Sequence, residues 1–97
     1  MKFKRIQASF DEYHIHADEP VFTSGVVCRL LHIPVWVLKR LDREKIITPS
    51  RSEGKTRLYS KRELKRLEYV WHLLNERKVR ITGLKVILEI EARTTGQ

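Results

Sequence analysis

Apolar residues first fall into sustained periods after Val21, in short runs set apart by turn residues, and these runs predict four helices and one hairpin. Thr23 or Ser24 can cap a helix over residues 25–32, with Val26, Val27, Leu30 and Leu31 facing inward. His32 and Ile33 make a tight connection, and Pro34 stands at the first position of a second helix, where its missing N–H costs least. That helix is predicted over residues 34–44. Two short helices joined by a three- to four-residue turn form a helix-turn-helix.

At 100° per residue the second helix divides into two faces. Val35, Val37, Leu38 and Leu41 fall on one broad arc. Trp36, Lys39, Arg40 and Arg43 lie within about 100° on the other side, so the indole projects outward among three cations. Ile46, Ile47, Thr48 and Pro49 then read as a short strand, residues 52–55 as a turn, and residues 56–59 as the return strand. The hairpin carries Arg51, Lys55 and Arg57. Ser60 and Glu63 have capping-box spacing and open a third helix to about residue 76, striped with Leu64, Leu67, Val70, Trp71 and Leu74. Thr82 is expected to cap a fourth helix over residues 83–93. Its inward stripe is Leu84, Ile87 and Leu88, but Val86 and Ile90 add a second, so apolar positions cover about 200° of its surface. A chain of 97 residues has little core left to receive both stripes, and the surplus predicts a partner surface, most simply a second copy.

Residues 1–20 show only weak alternation (Phe3, Ile6, Phe10) and then an acidic, histidine-bearing stretch. They read as a loosely ordered arm before a single domain at residues 21–97. Charge sharpens the picture. Twenty Lys and Arg against twelve Asp and Glu give a net charge of +8. Residues 1–19 carry a net −1, whereas residues 29–66 carry twelve basic and four acidic groups. Cations gathered in the helix-turn-helix and hairpin segment mark a polyanion binder. The longest charge-free stretches are nine residues, too short for a membrane span of about 20. No apolar run follows the basic N-terminus, so no signal peptide is expected and the cytoplasm is the expected location.

The ordered pieces resemble the DNA-binding domain of the MerR family. Residues 37–43 (VLKRLDR) are similar to its T-L-R-x-Y-[DE]-R stretch, residues 45–49 (KIITP) to G-L-[LV]-x-P, and residues 56–60 (TRLYS) to the R-R-Y-S that ends the wing. Residues 80–89 (RITGLKVILE) are similar to the N-L-A-G-[IV]-K-x-I-L-E segment of heat-shock repressors of the HspR branch. The resemblance covers about three-quarters of the chain. The departures are His32 and Lys45 where the family has glycine, Val37 for threonine, and Leu41 for tyrosine. A non-glycine residue held left-handed at such a turn costs on the order of 1 kcal/mol.

The resemblance implies a mainly α fold with a small β-hairpin wing, a winged helix-turn-helix of four helices. It also implies a repressor of transcription on double-stranded DNA. The second helix would enter the major groove, with Arg40 on a base, Lys39 and Arg43 on phosphates, and Trp36 stacking. Arg51, Lys55 and Arg57 would lie along the flanking backbone, with Tyr59 placed to bond a phosphate. A homodimer would form through Val86 and Ile90. Two alternatives use the same scaffold. Chaperone modulators of the CbpM type look like truncated MerR domains and bind J-domain proteins, and an excisionase-like architectural role uses the same winged domain.

Other chemistry finds little support. His14 and His16, near Asp11, Glu12, Asp18 and Glu19, have metal-ligating side chains, but the arm has no evident core to fix them, so no metal site is expected. Cys28 is the single cysteine and reads as a small hydrophobe. No nucleophile–base arrangement, paired carboxylates or glycine-rich phosphate loop occurs. Neither enzyme activity nor a cofactor is expected.

Overall fold

The structure, a computed structural model, describes residues 14–95. Its elements in order are β1 (Phe22–Thr23), α1 (Ser24–Leu31), α2 (Val35–Arg43), β2 (Ser50–Arg51), β3 (Arg57–Tyr59), α3 (Lys61–Asn75) and α4 (Ile81–Thr95). Four helices and a wing are present as the pattern predicts. The sheet, however, has three antiparallel strands in the order β1-β3-β2, with Phe22 opposite Tyr59 and Ser50 opposite Leu58. A strand as short as Phe22–Thr23 leaves no period to read.

The core gathers residues from every helix and from the sheet: Phe22, Val27, Ile33, Val37, Leu38, Leu41, Ile47, Tyr59, Leu67, Val70 and Leu84. Thr23 caps α1, its Oγ1 accepting from the Val26 amide at 3.4 Å. Of the four residues expected inward on α1, Val27 is buried and Leu31 half-buried, while Val26 and Leu30 are exposed. The buried arc of α1 runs from Val27 through Leu31 to Cys28. Val26 and Leu30 lie about 60–100° to its other side. Burial pushes the Cys28 thiol up, consistent with a small apolar role.

Three boundaries differ from expectation. Pro34 is extended (φ −63°, ψ 144°) and stands at the N-cap of α2, one position before the first helical residue. Ile46 and Ile47 form no strand, because their amides both turn back to the Leu41 carbonyl (2.9 and 3.4 Å) and finish α2 instead. Thr82 does not cap α4, which begins at Ile81. Lys78 reverses the chain in a left-handed conformation (φ 57°), Val79 and Ile81 pack on the core, and the helix starts at once.

His32 and Lys45, the two departures from glycine, are both left-handed (φ 56° and 59°), as are Lys55 and Lys78, whereas no described glycine has a positive φ. The capping box forms as its spacing requires: Ser60 Oγ accepts from the Glu63 amide at 3.1 Å, and Glu63 Oε1 accepts from the Ser60 amide at 2.9 Å. Residues 14–20 run along the start of α3. The Arg62 amide, one of the helix's orphan donors, bonds to the Ala17 carbonyl at 3.0 Å, and the Arg62 guanidinium pairs with Asp18 at 2.6 Å. Residues 1–13, which make up most of the expected arm, lie outside the described residues.

Candidate nucleic-acid interface

Helix α2 buries Val37, Leu38 and Leu41 and turns the rest of its circumference outward. Trp36 is 64% exposed, Lys39 and Arg43 are exposed, and Arg40 is half-buried at the edge. Val35, expected on the core side, is also exposed, because it lies about 110° from the centre of the buried stripe. The outer face therefore carries one apolar ring, one valine and three cations.

The wing is tied to the last turn of α2. Its turn is closed by the Lys55 amide on the Ser52 carbonyl (2.8 Å) and by the Ser52 amide on the Thr56 carbonyl (2.9 Å). Lys55 stands at the tip with its ammonium unpaired, as are the side chains of Lys39 and Arg43 among the described residues. Arg51 and Arg57 do not point freely into solvent. Both reach Asp42 Oδ2 in the last turn of α2, Arg57 Nε at 2.8 Å. Arg40 Nε bonds to Glu44 at 3.3 Å, and Lys85 of α4 holds the same carboxylate at 2.8 Å. The Lys85 ammonium and then the Arg40 guanidinium hold the Glu44 carboxyl below the usual carboxylate range.

Tyr59 is placed elsewhere. Its ring is 1% exposed and pairs with Phe22 across the sheet, so it belongs to the core and not to a phosphate-binding surface. Arg57 and Tyr59 share one face of β3 by strand alternation, and β3 packs against α1. Arg57 reaches the surface only through its long stem. Burial, first of all, pushes the Tyr59 hydroxyl up, with the Ser24 side chain beside it.

The fold adds residues that the sequence pattern did not single out. A cleft of about 560 Å³ opens between α2, the end of α3 and the start of α4, with Trp36 and Arg40 on one wall and Trp71, Val79, Arg80 and Thr82 on the others. Arg80 thereby joins the cationic face of α2. The signal was present in the run Arg77-Lys78-Val79-Arg80, but its relation to α2 depends on the angle of the α3–α4 turn. At the far edge of α4, Leu84 is buried and Ile87 and Leu88 are half-buried. Val86 and Ile90 remain 52% and 53% exposed. Among the described residues, no three His, Cys, Asp or Glu side chains come together as metal ligands, and no helix is long and apolar enough to cross a membrane. Asp11 and Glu12 lie outside the described residues.

A helix-turn-helix with a cationic outer face, flanked by a wing, defines the winged helix-turn-helix class. Residues 22–90 match the MerR HTH family of regulatory proteins, and the chain belongs to that family. It is also similar to a Streptomyces coelicolor protein named as heat shock protein HspR, at 30% identity over 79 residues, or 81% of this chain. The chain spans about half the length (52%) of that curated relative.

Proposed function

We propose that this chain represses transcription in the cytoplasm by binding duplex DNA, with α2 in the major groove and the wing on the flanking backbone. The observation that carries the reading is the division of α2: Val37, Leu38 and Leu41 are sealed in the core while Trp36, Lys39, Arg40 and Arg43 are left on one outer face. Lys39, Arg43, Lys55 and Arg80 supply phosphate contacts, which position the protein. Arg40 is the side chain best suited to read guanine, once its Glu44 contact gives way. Titration of isotopically labelled protein with a mixed-sequence duplex tests the reading. Amide shifts should concentrate in residues 34–44 and 51–58 and around Arg80; shifts spread evenly, or none, overturn it.

The exposed Val86 and Ile90, four residues apart on α4, support a homodimer through that helix. Changing both to glutamate should give monomers with an intact core, since Leu84 is untouched. Sedimentation of wild type and variant checks this, and a wild type monomeric at high concentration removes the dimer.

A protein partner on the α2 face is favoured by one observation, the apolar cleft beside Trp36. Trp36→Ala separates the two readings. Phosphate contacts survive loss of the ring, so DNA affinity should fall less than about tenfold. A J-domain partner anchored on Trp36 should lose about 2 kcal/mol or more, as truncated hot spots do. Binding of the variant to DNA and to a J-domain protein, each followed by fluorescence anisotropy, decides between them.

A further inference from the structure

Two placements in this domain are unfavourable when each is viewed alone. Asp42 puts a negative charge in the last turn of α2, at the end of the helix where the backbone dipole favours cations. Arg51 and Arg57 are direct cross-strand partners in the β2–β3 ladder, like charges face to face. One contact resolves both. Asp42 Oδ2 accepts from Arg57 Nε at 2.8 Å and from Arg51 Nη2, so a single carboxylate sits between the two guanidinium groups. The Asp42 side chain is only 14% exposed and that of Arg57 23%, which shields the pair from solvent screening. Arg51 then reaches on to the wing tip, its Nη1 donating to the Lys55 carbonyl at 3.3 Å. Lys55 is left-handed, a conformation its own side chain disfavours, so an external hold on its backbone matters there.

We infer that Asp42 is a positioning residue that locks the wing to α2. Arg51 and Arg57 act as struts that fix where the wing lies, and Lys55 makes the phosphate contact. The inference rests on the DNA-binding reading for its consequence, but the clamp itself can be observed without DNA.

Asp42→Ala gives opposite signs for the two possible roles of the arginines. Were Arg51 and Arg57 phosphate ligands merely masked by Asp42, removing the carboxylate would free two cations, delete a charge that repels DNA, and raise affinity. A clamp predicts that affinity falls, by about threefold or more, because Lys55 is no longer held against the backbone. Alanine is a better helix former than aspartate, so α2 should persist, and a thermal melt confirms it. Anisotropy on a mixed-sequence duplex is read for wild type, Asp42→Ala, Lys55→Ala and the double variant. Lys55→Ala should weaken the wild type but change affinity less than about 1.5-fold in the Asp42→Ala background. A loss that merely reflected poorer folding would leave the two effects additive. Without DNA, the backbone heteronuclear NOE at Gly54 and Lys55 should drop in Asp42→Ala, and Arg57→Gln should reproduce the drop. Higher affinity in Asp42→Ala, full additivity with Lys55→Ala, or an unchanged NOE each overturns the clamp. A wild type that binds no DNA overturns the DNA reading instead, and the NOE still decides the clamp.

Discussion

Affinity for duplex DNA is expected to fall about 150-fold per protomer between 50 and 200 mM salt. Lys39, Arg43, Lys55 and Arg80 are exposed cations available to phosphates, and Arg40 is left out because it faces a base. Each neutralised phosphate releases a condensed counterion, which contributes roughly −0.9 to the slope of log K against log salt, so four contacts give about −3.6. The wing arginines are left out of this count because Asp42 holds them. An anisotropy series across salt concentrations measures the slope directly. A slope near zero, or no binding at low salt, removes duplex DNA as the ligand.

The second large effect is on the fold. Leu67 lies midway along α3 with no exposed surface and belongs to the same buried cluster as Val27 of α1, Leu38 of α2 and Leu84 of α4. Leu67→Ala removes this apolar bulk from a small core that closes poorly over a cavity, and should cost about 3 kcal/mol. For a domain of this length that corresponds to a fall in Tm of roughly 15 °C, and it consumes much of a net stability of only several kcal/mol. Thermal melts by circular dichroism check it. A shift below about 5 °C would mean that Leu67 is not sealed in the shared core of the helices.

Features governed by neighbours in sequence were legible in advance. The outer face of α2 follows from residue spacing alone, and the capping box from four consecutive positions. The left-handed turns at His32 and Lys45 were marked by where they stand in the motif order. What escaped depends on packing between elements. Asp42 lies nine residues from Arg51 and fifteen from Arg57, and nothing local announces that one carboxylate serves both. The family resemblance places Tyr59 outward on a phosphate, but which way its strand face turns is decided by packing between β3 and α1. Val26 and Leu30 show the same limit. Period 3.6 groups them with Val27, while the neighbours choose an arc rotated toward Cys28 and Leu31.

Three of the turns bend through a left-handed lysine: Lys45 after α2, Lys55 at the wing tip and Lys78 before α4. Glycine at any of them would relieve backbone strain of about 1 kcal/mol and remove one positive charge. Heat tolerance and grip on a polyanion therefore pull these positions in opposite directions. Selection for thermal hardiness alone would neutralise the corners of the domain one by one. A chain that keeps lysine there has taken the charge at the expense of its backbone, and any engineered stabilisation of this domain should begin at His32, a left-handed turn that carries no lysine.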